Sequence, residues 1–229
     1  VKTIKEKLSD VDFINIPDLL SCDTRSWDGA NIAKAYFDDV VPHLRAMDFD
    51  FTKELPIKDK LREYNIKEVL VVEGDPPQSM LYQVYPTIST DIIKKFSEEM
   101  PEITVYAGID QYRSSMKEEE YRIRRKQLAG AKGFFTQPFF DMRYLEMYAD
   151  LLDGLDIYWG VSPVLSERSV SYWRNKNNVI FPKDFEPTLE WNIEFASKVI
   201  DFARKHNHNV YLMPIKAKIM PYLEGVFAK

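Results

Sequence analysis

Short apolar runs, each bounded by polar or turn residues, recur along the chain: Asp12 to Ile16 (DFINI), Val40 to Leu44 (VVPHL), Glu68 to Val72 (EVLVV), Ile103 to Ala107 (ITVYA), Gly133 to Gln137 (GFFTQ), Ile157 to Val161 (IYWGV) and Asn209 to Met213 (NVYLM). They are about five residues long and rich in Val, Ile, Phe and Tyr, as strands buried on both faces are. Most successive runs stand roughly 25 to 35 residues apart, the spacing of a βα unit. Helical periodicity fills the gaps. Gly29 to Phe37 predicts a helix with Ile32, Ala35 and Tyr36 on one face, and Thr90 to Glu99 one that opens on a Thr-Asp cap and carries Ile92, Ile93 and Phe96. Lys117 to Gly130 is the clearest. Glu118, Glu119 and Glu120 sit in its first turn, Arg122, Arg124, Arg125 and Lys126 follow, and Gly130 stops it, a polarity that suits the helix dipole. Met142 to Leu152, Leu189 to His206 and Ala217 to Phe227 complete the set, and Val1 to Leu8 reads as an opening helix.

Alternating β and α without a long interruption predicts an α/β fold with a parallel sheet or barrel under helices. No repeat, low-complexity tract or linker divides the chain, so residues 1–229 are expected to form a single domain. A (β/α)8 TIM-type barrel opens on a strand and needs eight, whereas this pattern opens on a helix and offers about seven strands and about eight helices. Either Val179 to Phe181 is the eighth strand, or the first lies upstream of Val1. The stretch Ser162 to Pro187 fits the alternation least well.

Composition narrows the class. With 45% hydrophobic and 29% charged residues the chain reads as globular. No apolar run approaches the roughly 20 residues that span a bilayer, so no membrane role is expected. A net charge of -5 argues against nucleic acid as the main partner. The single cysteine, Cys22, fits a reducing, cytoplasmic setting. Three histidines and one cysteine without ligand spacing give no metal site. Neither glycine-rich phosphate motif nor a G-x-S-x-G elbow is present. The phosphates of any bound cofactor would have to meet side chains such as Lys126 and helix N-termini.

In a βα barrel the chemistry gathers where the strands end. The residues there are Pro17-Asp18, His43, Glu73-Gly74-Asp75-Pro76-Pro77, then Tyr106, Asp110 and Tyr112, then Thr136 to Asp141, Ser162-Pro163, and finally Pro214, Lys216 and Lys218. Taken singly, Gly-Asp-Pro-Pro reads as a turn, His43 as a core histidine, the basic run from Arg122 to Lys126 as a solvated face, and Asp110 and Asp141 as helix caps.

Together they resemble the methylenetetrahydrofolate reductase family. Glu120 to Asp141 (EYRIRRKQLAGAKGFFTQPFFD) is similar to its Leu-Lys-x-Lys helix, Ala-Gly-Ala turn and Thr-Gln-x-Phe-Phe-Asp strand end. Val71 to Pro77 (VVEGDPP) resembles its Gly-Asp-x-Pro corner, Pro42-His43-Leu44 its Pro-His-Leu-Thr, and Phe13 to Asp18 (FINIPD) an Asn-Val-Pro-Asp variant. The resemblance implies a TIM-type barrel holding FAD. It would reduce the folate substrate 5,10-methylenetetrahydrofolate to 5-methyltetrahydrofolate with NADH or NADPH, in ping-pong order. It implies a catalytic carboxylate in Asp75, flavin contacts from His43, Tyr85, Glu119 and Lys126, and folate contacts from Gln137 and Lys218. It places the family's general-acid glutamate, and with it the first strand, upstream of Val1, leaving Val179 to Phe181 as loop. A homo-oligomer or a partner subunit is the assembly it implies. The chain departs from the pattern at Glu73, where many members have arginine, at Pro17-Asp18 in place of Thr-Tyr, and at Asp110 or Tyr112 in place of a histidine. Those departures leave a second expectation, a non-redox folate- or pterin-binding barrel or a subunit that needs a partner.

Overall fold

A computed structural model describes residues 2–8, 11–77, 79, 82–215 and 217–228. They form two compact units, Val1–Gly108 with Arg124–Lys132, and Ile109–Ile123 with Gly133–Lys229. The short α1 (Lys2–Lys7) opens the first unit and buries no side chain. Then come β1 (Phe13–Ile16), α2 (Ser26–Ala33), β2 (Asp39–Arg45), a 3-10 turn (Ala46–Asp48), α3 (Lys58–Glu63), β3 (Glu68–Val72), α4 (Ser89–Glu99) and β4 (Thr104–Ile109). The strands β1 to β4 are parallel and lie in chain order.

Strand periodicity sorts the side chains of this sheet into two faces. Val40, Leu44, Val69, Val71, Val105 and Ala107 are buried on the face that helices cover, with α2 packed on β1 and β2 and α4 on β3. The opposite face carries Val41, His43 and Arg45 of β2, in register with Leu70 and Val72 of β3 and Tyr106 of β4. Tyr106 there donates from its phenol to Glu68 Oε1 at 3.0 Å. Helix α2 starts three residues earlier than its periodicity suggests and buries Trp27, Ala30 and Ala33. Ile32 and Tyr36, expected on its packed face, are exposed; Trp27 offers more area to bury than either and sets the rotation.

The second unit holds β5 (Gly133–Pro138), α6 (Met142–Leu151), β6 (Ile157–Val161), α7 (Glu167–Lys176), α8 (Leu189–His206), β7 (Asn209–Leu212) and α9 (Ile219–Phe227). Its strands are again parallel and in chain order. Trp159, fully buried, meets Phe139, Phe202 and His208 on one face. Phe135 stacks on Tyr158 at 4.1 Å on the other. Helix α5 (Met116–Ala129) joins the units in sequence. Gly130, with φ near 122°, ends it in the left-handed region where an L side chain is strained.

The whole is an α/β fold of seven parallel strands among the described residues, one fewer than a full (β/α)8 barrel has. Val179 to Phe181 is loop, as the resemblance implies. The stretch around it is not without structure: α7 starts on its cap Ser166, which accepts from Ser169 N. Val164, Val170, Trp173 and Val179 pack on Phe140, flanked by Tyr112, Phe181, Phe185 and Trp191. No helix among the described residues is long and apolar enough to cross a membrane.

Candidate functional site

In the first unit the ends of β1, β2 and β3 are tied by one line of ion pairs. Asp18, just past β1 and 8% exposed, accepts from Ser26 N at the start of α2 (3.1 Å) and pairs with Arg25 at 2.6 Å. Arg25 also reaches Asp48 at 2.8 Å and lies over the Trp27 ring. Asp48 in turn accepts from Arg45 Nε at 3.3 Å. Arg45 closes the line: its Nη2 donates to the backbone carbonyl of Asp75 at 2.8 Å. Two guanidinium and two carboxylate groups thus neutralise one another, the condition under which buried charge is tolerated.

His43 lies beside this line, two residues before Arg45 on the same face. Its carbonyl accepts from Ser26 Oγ at 2.5 Å and its Nε2 is enclosed by protein. Burial pushes its imidazole down to about 4, against the opposite pull of the Asp18 charge, so the ring is neutral at pH 7. Asp75 exposes its side chain at the exit of β3. Its neighbour Glu73 accepts from Ser89 N at the start of α4, at 3.1 Å, a favourable seat for an anion. The Glu73 carbonyl accepts from Met47 N, and the Met47 carbonyl from Tyr85 N at 2.8 Å. Tyr85 is therefore anchored by its backbone next to the same corner. Lys126, late in α5, places its ammonium 2.6 Å from the carbonyl of Gly108 at the end of β4. The first unit thus contains His43, Asp75, Tyr85 and Lys126, four of the expected residues: His43 within β2, Asp75 past β3, Tyr85 beside the 3-10 turn and Lys126 against the end of β4.

In the second unit Glu119 is 1% exposed. Its carboxylate accepts from Asp110 N at 3.1 Å and faces Arg122 at 3.4 Å, so one oxygen serves the turn after β4 and the other a guanidinium of α5. Asp110 Oδ1 accepts from Tyr112 N at 3.2 Å, and the Tyr112 phenol donates to the Pro138 carbonyl at 2.9 Å. Burial pushes that phenol up. Gln111, which the sequence does not mark out, is 1% exposed and donates from Nε2 to the carbonyl of Gln137 at 2.7 Å. Its Oε1 is buried with no partner. Gln137 is held through its backbone and leaves its side chain exposed at the end of β5. Asp141 caps α6 by accepting from Arg143 N at 2.9 Å, whereas Asp110 turns its own loop rather than capping a helix. Lys218 is exposed and directly precedes α9. Lys216 lies outside the described residues, and Gln137 and Lys218 make no described contact with each other. Among the described residues, no group of three or more His, Cys, Asp or Glu side chains is arranged to hold a metal ion.

In the first unit the Lys126 ammonium suits a flavin phosphate in kind, whereas the His43 imidazole is neutral with its Nε2 enclosed by protein. Glu119 does not suit its expected part, because its oxygens already serve Asp110 and Arg122.

No protein-family model matches the chain. Over 147 residues, 62% of its length, it is 22% identical to the 5,10-methylenetetrahydrofolate reductase of Buchnera aphidicola subsp. Schizaphis graminum (strain Sg). The match covers 50% of that protein, so the chain spans about half the length of this curated relative. Among solved structures it is similar to oxaloacetate acetylhydrolase in complex with 3,3-difluorooxalacetate, with a TM-score of 0.52 and 11% identity over 99% of this chain and 84% of that one. A 2,3-dimethylmalate lyase of the PEP mutase/isocitrate lyase superfamily gives 0.49 and 13% over 96% and 90%. At such identities the likeness to the hydrolase speaks for the fold alone.

Proposed function

We propose that the chain is an enzyme of the methylenetetrahydrofolate reductase type, with FAD as cofactor, NADH or NADPH as reductant and a one-carbon-bearing folate as substrate. The observation that carries this reading is Asp75: an exposed carboxylate at a strand exit, its backbone bound by Arg45, which shares a strand face with the buried, neutral His43. A carboxylate fixed there stabilises a cationic iminium substrate electrostatically, and more so as water is excluded. His43 and Lys126 would hold the flavin, Lys126 at a phosphate. Gln137, with an acceptor and two donors on one amide, suits the amide-like edge of a pterin. FAD, when bound, would carry the hydride from the nicotinamide to the substrate.

Purified protein mixed with FAD should hold flavin through gel filtration, with absorbance near roughly 450 nm. It should oxidise NADH or NADPH only with a folate or another acceptor present. Protein that binds no flavin under any of these conditions would end the reductase reading. A second reading follows from Glu119 and Glu73. Both carboxylates are engaged by the chain itself, at the Asp110 turn and at the start of α4. Such a chain can bind a folate or pterin without redox chemistry. Folate binding by calorimetry in flavin-free protein, with no nicotinamide oxidation after FAD is added, would favour it.

A further inference from the structure

We infer that Arg45 is a positioning residue for Asp75, acting through the Asp75 backbone carbonyl, and that the Asp18–Arg25–Asp48 line exists to hold Arg45 in place. The starting observation is a charged residue where an apolar one is the rule. Arg45 is 7% exposed, and it points to the same face of β2 as Val41 and His43. Its Nε is committed to Asp48 and its Nη2 to Asp75 O and the Met47 sulfur. Arginine can do this because its donors form a rigid planar fork; a lysine has one point of charge and cannot serve Asp48 and Asp75 from fixed directions.

The corner it grips is restrained on both sides. Gly74 has φ near 90°, and a Cβ there would lie 3.1 Å from both Arg45 Cβ and Met47 Cγ. The Arg45 stem therefore packs against bare backbone, and only glycine fits. On the other side Pro76 limits Asp75 to extended conformations. Between these restraints the hydrogen bond from Arg45 fixes the remaining peptide plane, and with it the direction in which the Asp75 side chain leaves. Arg45 itself is aimed from behind. Asp48 is shared with Arg25, and Arg25 is fixed by Asp18, which is bound to the start of α2. The line runs from a helix N-terminus to the backbone of one exposed carboxylate, with charges alternating at each step.

The catalytic half of this inference rests on the reductase reading; the conformational half does not. Arg45→Lys keeps the charge beside Asp48 and should fold, which circular dichroism and the melting temperature check. Hydrogen exchange at the amides of Met47 and Tyr85, which bond the carbonyls of Glu73 and Met47 in this corner, should then speed up about tenfold or more, as the loss of one hydrogen bond from a charged donor loosens it, while the amides of α4 stay as in the parent. Unchanged exchange in this corner would overturn the inference whether or not the protein turns over. Where the parent shows both half-reactions, Arg45→Lys should slow folate reduction about tenfold and leave flavin reduction by the nicotinamide alone. Faster exchange with both half-reactions equally slowed, or neither, would make Arg45 a structural residue and overturn the positioning role. A parent without turnover counts against the reductase reading, and the exchange result then decides the inference alone.

Discussion

His43 shows how burial at one residue sets a measurable property of the whole protein. In the folded chain its imidazole resists protonation until about pH 4, while in the unfolded chain it takes up a proton near 6.5. The unfolded state therefore binds more protons across this window, and stability is complete above about 6.5 and falls as the pH drops toward 4. Between pH 7 and 5 the loss should be roughly 2 kcal/mol, read by urea unfolding at the two pH values. His43→Gln should remove most of that pH dependence; an equal slope in the variant would show that other groups carry it. Asp75 is tested differently. Asp75→Asn keeps the shape and removes the charge, so folate reduction should fall by about 10- to 100-fold while flavin reduction by nicotinamide changes little. Equal loss in both would take the proposed role from Asp75. Both residues are legible in the sequence because each stands at the end of an apolar run. Arg45 is not, although the signal exists. It lies two residues after His43, hence on the same face, a charge ending a run that otherwise reads apolar.

Among elements, strands were more legible than helices, for a physical reason. Seven apolar runs became β1 to β7 with ends moved by no more than two residues, because a strand buried on both faces leaves a continuous apolar signature. The helices α3 and α7 are short and mostly polar, burying only Leu61 and Val170 with Trp173, too few to give a periodic pattern. Gly160 marks a feature invisible to pattern. In β6 its α-carbon faces the end of β5, where the register slips between Phe135 and Pro138. A Cβ at Gly160 would lie 2.5 Å from the carbonyl oxygen of Thr136 and 2.8 Å from that of Gln137. Backbone cannot yield as a side-chain tip can, so Gly160→Ala should cost about 2–3 kcal/mol. A melting temperature within one degree of the parent would show that β5 has room. Because Gln111 binds the Gln137 carbonyl, the same variant should weaken folate binding before it unfolds the protein.

For the whole molecule, the α/β class was legible from alternation alone, whereas the occupancy of its strand ends by a cofactor depends on chemistry that only ligand binding reports. A ligand that binds the folded chain and not the unfolded one stabilises it by mass action, about 2.7 kcal/mol at a hundred times its dissociation constant. For a chain of this size that amounts to a rise of roughly 5 to 10 °C in melting temperature. FAD should produce such a rise if the reductase reading holds. In Lys126→Ala the rise should shrink at equal FAD, because a phosphate loses its ammonium partner, counted from a flavin-free variant that itself melts a few degrees lower for want of the bond to the Gly108 carbonyl. A rise of equal size in the variant would return Lys126 to the structural part already visible in its bond to the Gly108 carbonyl. No rise with FAD but one with a reduced folate would move the whole molecule to the non-redox reading.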